Sequence, residues 1–383
     1  MLDILTRQLF CRDDAKRVFF AVLVLVGFIT SGCTRPPKEF ILDSAGHRVT
    51  NGFRLLELGR IDDARREFRT ALTLDPRCCD AYRGIGLSLG MQERFDQAFR
   101  AMGHARACAK TDKAKALADV GFLRLVTLKK GRDWVDRAEA LFLKALDEDH
   151  NSSEAYYYMG VAYREARMLP KAVWAFRKAV KLGGPFRERA EDALALVNKV
   201  IAAKPETQLG RAMAFKAALT RGEVAALIAR ELGCTRILGM HSAESICPAE
   251  PKARLPVPQD IRRYPYRAEI ARILSVGIQG LTLFPDGSFR PDMPVTRSDF
   301  ATILADIIRK LKLAPSKSKE IQSLVNPFDD LERDAPYFAD VILCTRLTHM
   351  LDPDHGAFGP MELVSGADVL LAVRRLRDAS GYE

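Results

Sequence analysis

Two tetrads of this chain, Thr220-Arg221-Gly222-Glu223 and Thr296-Arg297-Ser298-Asp299, carry residue types that can do two different jobs. A threonine followed three residues later by an acid, just before an apolar run, makes a capping box. The hydroxyl takes a first-turn N–H and the acid returns to the threonine N–H. Capping explains Thr220, Glu223, Thr296 and Asp299, but it has no use for Arg221 or Arg297. A guanidinium at a helix start, beside backbone N–H groups without intrahelical partners, suits two-pronged binding of a carboxylate. Arg297 and Arg221 are therefore the candidate contacts for an anionic ligand, with ordinary surface charge as the alternative.

Little else in the sequence offers chemistry. His47, His104, His150, His241, His349 and His355 lie in no metal or catalytic motif, and pairs such as Asp133 with Asp136 or Glu148 with Asp149 read as solvated surface. The 8 cysteines contain no CxxC pair with matching histidine spacing, so a zinc site is not expected. In an oxidising compartment Cys234 and Cys247 could close a loop, and Cys108 could meet Cys78 or Cys79; Cys344 reads as a small core residue. No enzyme and no cofactor are expected. The chain has 59 Lys and Arg against 49 Asp and Glu, a formal charge of +10 that favours an anionic partner. The basic residues are interleaved with acids, as in DARREFR and FRERAED, so nucleic acid is not the expected partner.

The tetrads need elements to hold them. FPDGSFRPDMPVTRSDFATIL, from residue 284, aligns with DPDHGAFGPMELVSGADVLLAV from residue 352. Each has a proline-glycine turn, then Phe289 or Phe358 ten residues before an acid, Asp299 or Asp368. A partial copy, AALTRGEVAALIAREL from residue 217, keeps the tetrad and the apolar run without the loop. Upstream of the complete copies, PYRAEIARILSVGIQGL and PYFADVILCTRLTHML are apolar at helical spacing, so the unit is helix, loop, helix. This unit resembles the S-layer homology (SLH) module, with its DGxFxP loop and TRAE-like tetrad, over residues 210–378. The resemblance implies three modules in a pseudo-threefold helical domain whose grooves hold anionic cell-wall polysaccharide. It implies glycan contact at Arg297 and Arg221, flanked by Thr296, Asp299 and Glu223. Phe328-Asp329-Asp330-Leu331 resembles the module's opening motif, which makes Asp329 a groove hydrogen-bond partner or, alternatively, a helix cap. The third copy departs from the pattern: its tetrad is Ser365-Gly366-Ala367-Asp368, without arginine.

A second repeat lies upstream. Gly52, Gly59, Ala64, Phe68, Ala71 and Pro76 are spaced as in the tetratricopeptide repeat (TPR), and Ala98 and Ala105 follow Ala64 and Ala71 at the same interval. Ala138, Phe142 and Ala145 mark a weaker unit, and Tyr156, Gly160, Tyr163, Ala172, Phe176 and Ala179 the best one. The resemblance implies about four helical hairpins stacked in a solenoid over 47–183, closed by an amphipathic helix over 184–204 and followed by the SLH region over 205–383. Arg83, Tyr157 and Arg164 are inner-face candidates for a protein or peptide partner, with solvated surface as the alternative. The expected fold class is thus all-α: a TPR solenoid followed by a helical SLH-type domain.

The N-terminus sets the compartment. Residues 18–32, VFFAVLVLVGFITSG, form an uncharged apolar run after Arg12, Lys16 and Arg17, the layout of an export signal, and short for a membrane span. Ser31-Gly32-Cys33 resembles the lipobox of bacterial lipoproteins, which implies a signal peptide over 1–32, lipidation at Cys33 and a tether over 33–46. Thr34 after the cysteine implies sorting to an outer membrane, facing the periplasm. A retained membrane anchor and plain secretion are the alternatives. Together these readings describe a non-catalytic envelope lipoprotein that binds wall glycan and a protein partner. The competing expectation is an assembly or export scaffold in which the SLH region only packs.

Overall fold

The computed structural model describes residues 44–232, 257–314, 326–349, 351–352 and 356–381. The apolar run at 18–32, Cys33, nearly all of the tether, Cys234, Cys247, His241 and His355 lie outside the described residues. The described chain is helical and contains no strand, only isolated bridges at Thr220–Pro294 and Thr296–Leu363. No helix among the described residues is long and apolar enough to cross a membrane.

The chain forms two compact units that divide between His150 and Asn151. In the first, α1 (Ala45–Glu57), α2 (Ile61–Leu74), α3 (Cys79–Met91), α4 (Phe95–Cys108), α5 (Asp112–Lys129) and α6 (Trp134–Glu148) pack as successive antiparallel hairpins. Ser44 caps α1 by accepting from the His47 N–H, so the helix begins inside the segment read as tether. The small residues are needed because aromatic rings fill the space between helices. Phe68 is fully buried, and a Cβ added to Gly84 would stand 2.3 Å from its ring. Burying a phenylalanine this way contributes about 1.5–3 kcal/mol, available only while the neighbouring positions stay small. Ala64, Ala71, Ala98 and Ala105 are buried as well.

Antiparallel packing brings the start of α3 beside the end of α4, and there Cys79 and Cys108 form a disulfide with their Cα atoms 5.6 Å apart. Of the two partners open to Cys108 in the sequence, the structure takes Cys79 and leaves Cys78 free. The third hairpin lacks some small-residue marks and is fixed partly by charge instead. Asp119 of α5 is fully buried between Lys144 of α6 at 3.0 Å and Arg106 of α4 at 3.3 Å, and Arg106 also pairs with Glu148.

The second unit starts with the hairpin α7 (Ser153–Glu165) and α8 (Leu169–Leu182), followed by α9 (Arg187–Ala203). Phe176 is buried beside Gly160, repeating the ring-and-glycine contact of the first unit. Although α9 follows the hairpin as a closing helix, it has a second packed side. It packs against α15 (Gly366–Ala379), and Ala203, Val200, Leu219 and Leu376 share one core. The hairpin at 153–182 therefore belongs to the same compact unit as the modules, whereas the sequence division separates them at 204/205. The remaining elements are α10 (Gln208–Met213), α11 (Arg221–Leu227), α12 (Arg267–Val276), α13 (Arg297–Lys310) and α14 (Phe338–Ile342). Both α11 and α14 run on into π-helical turns, at Ile228–Leu232 and Leu343–Leu347.

Candidate functional site

Three buried residues, Leu219, Val295 and Val364, close a ring of hydrogen bonds at the centre of the modules. The Leu219 N–H donates to the Val364 carbonyl, Val364 to Val295, and Val295 back to Leu219, each at 3.0 Å. Each residue lies at the same offset before its tetrad, so the ring is a pseudo-threefold relation written in backbone contacts. Outward from the ring, Thr220 and Thr296 each accept from the N–H three residues on, and Glu223 and Asp299 each return to the threonine N–H. Ser365 caps α15 by accepting from the Asp368 N–H.

The tetrad arginines point into the protein. Arg297 is 2% exposed and Arg221 9%. Arg297 Nε donates to the Phe358 carbonyl at 2.8 Å and Nη2 to the Asp352 carbonyl at 2.8 Å, while Nη1 lies 3.7 Å from Asp368 Oδ2. Arg221 Nε donates to the Phe289 carbonyl at 3.0 Å, Nη2 to that of Thr282 at 3.0 Å, and Nη1 to that of Gly280. Its guanidinium also lies 4.9 Å from the ring centroids of Phe284 and Phe289, and burial draws it below the ordinary arginine range. The geometry differs from the sequence expectation of a guanidinium offered to a ligand: each arginine clasps the loop of the next module. The rigid fork of arginine donors suits this task, because carbonyls turned toward a buried loop would otherwise lack partners.

Backbone contacts follow the same order. Arg221 and Gly222 donate to the Met293 and Pro291 carbonyls, and Arg297 and Ser298 to those of Glu362 and Pro360. The third tetrad completes the cycle differently, with the Gly366 N–H bound to the Lys216 carbonyl. A Cβ at Gly366 would fall 1.9 Å from the Met213 carbonyl oxygen, so no side chain fits there. The missing arginine of the third copy and the missing loop of the first are thus one feature. The clasp that would join them has no loop to hold, and residues 213–216 pack directly on Gly366.

Two acids fix the loops from the other side. Asp260 Oδ2 accepts from the Phe289 and Arg290 N–H groups at 2.9 and 2.6 Å, and Asp330 accepts from Phe358 and Gly359 at 3.0 and 2.6 Å. Asp329, the groove candidate of the sequence, and Asp330 are both exposed in one turn, and it is Asp330 that reaches the loop. The signal that would have found both is an acid followed by a buried aliphatic, Asp260-Ile261 and Asp330-Leu331, at nearly constant distance before the loop phenylalanine. Burial would raise Asp330, yet the two N–H donors and the charge of Arg297 hold it below the usual carboxylate range. Asp368 behaves alike: burial opposes its charge, while Lys199 of α9 at 2.7 Å, the Ser365 hydroxyl and Arg297 together hold it low.

The candidates for protein contact are each engaged within their own unit. Arg83 pairs with Asp80 at 3.1 Å and lies 4.5 Å over the Phe53 ring. Tyr157 is half-buried among Tyr158, Phe176 and Phe186, and Arg164 pairs with Glu165. Among the described residues no group of His, Cys, Asp and Glu could hold a metal ion.

Residues 281–301 match the family model of the S-layer homology domain. No curated protein matches this chain. Among solved structures, the chain is similar to YrrB, described as a TPR protein with an unusual peptide-binding site. The identity is 18%, over 40% of this chain and 94% of that one, with a TM-score of 0.19. It is also similar to the APC/C hetero-tetramer Cut9-Hcn1, at 20% identity over 51% of this chain and 41% of that one, with a TM-score of 0.24. At such scores the hairpin fold is read from its own packing. The described residues are all-α, with successive antiparallel helical hairpins and a segment, 281–301, that matches the S-layer homology domain.

Proposed function

We propose that this protein is a non-catalytic component of a bacterial cell envelope that holds an anionic wall polymer through its SLH modules and a protein or peptide through its helical hairpins. The single observation that supports it most is the cyclic clasp of loops and tetrads, centred on the segment that matches the SLH family. In this reading Arg221 and Arg297 serve the ligand by holding loops in place, and Thr296, Asp299 and Glu223 fix the helix starts that carry them. The excess of basic residues suits a polyanion, and the Cys79–Cys108 disulfide suits an oxidising compartment. Lipid attached at Cys33 would keep the protein on a membrane, facing the wall. Arg83 in the first unit and, separately, Tyr157 and Arg164 in the second are the candidate contacts for the protein partner.

The test is cosedimentation of the full chain, in mild detergent, with isolated wall sacculi before and after their accessory polymers are stripped. Pelleting that disappears with the polymers supports the reading, and no pelleting with intact sacculi refutes it. Incorporation of a labelled fatty acid, lost in Cys33→Ser, tests the anchor. A second reading, an assembly or export scaffold whose SLH region only packs, draws support from the arginine donors being engaged by protein carbonyls. It would lead if sacculi fail to bind.

A further inference from the structure

A cleft of about 260 Å³ opens within the second unit, lined by Arg164, Glu165, Arg167, Ala212, Phe215 and Lys216. Arg164, Glu165 and Arg167 come from the end of α7 and the turn after it; Ala212, Phe215 and Lys216 come from the segment leading into the first tetrad. That segment stands where the other modules present their loops, since the Lys216 carbonyl meets Gly366 as the Met293 and Glu362 carbonyls meet Arg221 and Arg297. The lost loop therefore left a recess at the third module junction, and the hairpin helix supplies its other wall.

Its chemistry is cationic. Both guanidiniums lie over the Phe215 ring, Arg164 at 5.8 Å and Arg167 at 5.0 Å from its centroid. Arg164 is balanced by Glu165, and Lys216 by Glu223, whose other oxygen is already engaged with the Thr220 N–H. Arg167 has no carboxylate partner among the described residues, and beyond its own turn it meets the Phe215 ring. The recess thus carries one unbalanced guanidinium with its donors open to solvent, in a volume just under that of drug-sized ligand pockets. A planar fork of donors favours a carboxylate, and the small volume favours one ring bearing that group over an extended chain.

We propose that this cleft binds an acidic sugar unit of the wall polymer through its carboxylate, with Arg167 as the principal contact and Arg164 and Lys216 as flanking cations. The proposal deepens the wall-polymer reading and rests on it for the sugar. Saturation-transfer NMR on the full chain tests it, with glucuronate as the probe, glucose as its neutral counterpart and a short acidic peptide as the competitor. Glucuronate should give transfer signals that fall at least fivefold in Arg167→Glu and in Arg167→Gln, with helicity unchanged, and glucose should give none. Equal signals from glucose, or glucuronate signals indifferent to both variants, would overturn the site. Displacement of glucuronate by the peptide at lower concentration would overturn the sugar assignment. If sacculi fail to pellet the chain while the Arg167-dependent signal persists, the wall reading falls and the carboxylate site stands. If sacculi do pellet the chain and the signal ignores Arg167, the wall reading stands and the site falls.

Discussion

Replacing Arg297 by alanine separates a structural clasp from a ligand contact. The side chain makes two charge-assisted hydrogen bonds at 2.8 Å to carbonyls of the third loop, each contributing about 1.5–3 kcal/mol. Their sum is about 3–6 kcal/mol, offset in part because alanine no longer keeps a guanidinium out of water. Asp368, left beside Lys199 and Ser365, remains compensated, so the net loss should fall near the ~3–5 kcal/mol typical of removing one partner of a buried charged contact. Hydrogen exchange reads this locally. The Phe358 and Gly359 amides, bound to Asp330, should exchange roughly a hundredfold to several thousandfold faster in Arg297→Ala, at tenfold per ~1.4 kcal/mol. Urea unfolding of the second unit should shift to lower concentration. Arg290→Ala, which removes an exposed pair with Asp286, should shift it by at most ~1 kcal/mol. Unchanged exchange and stability in Arg297→Ala, together with lost sacculus binding, would refute the clasp and restore the arginine as a ligand contact.

Gly366→Arg, which writes the family tetrad into the third copy, should destabilise the second unit rather than restore a site, because even a Cβ meets the Met213 carbonyl; a thermal midpoint at or above the parent's would contradict this. Asp330 and Asp368 have folded pKa values held below their unfolded ones, so the stability they confer is complete above about pH 4 and lost as pH falls through the lowered values; Asp368→Asn should flatten the acid limb of the unfolding curve. Reducing the Cys79–Cys108 bond, which closes a loop with a sequence separation of 29, should lower the stability of the first unit by ~3–4 kcal/mol on the chain-entropy account, seen as an earlier urea midpoint in reductant.

Helix positions were legible because their signals are local. The capping boxes at Thr220 and Thr296, the alanine spacing around Phe68 and Phe176, and the proline-glycine turn at 285–287 each involve residues within a few positions of one another. The arginines were legible as anomalies, since capping has no use for them, but their direction was not. Whether Arg297 faces solvent or the Phe358 carbonyl depends on a loop 61 residues away. The tie from Asp330 to the loop was not legible for the same reason. Adjacent acids in a turn look alike until the loop N–H groups arrive beside one of them.

The recess at Arg167 had no sequence signal, because its walls come from a hairpin turn and a segment about 45 residues further on that look unremarkable apart. What the sequence by itself determined is the all-α class, the two repeat periods and the tetrads, all set by side-chain spacing along one chain. What only the tertiary structure decided is where each guanidinium's donors go and how the missing loop and missing arginine complete each other. Those outcomes depend on which carbonyls are buried without partners, and that is settled when distant segments exclude water together.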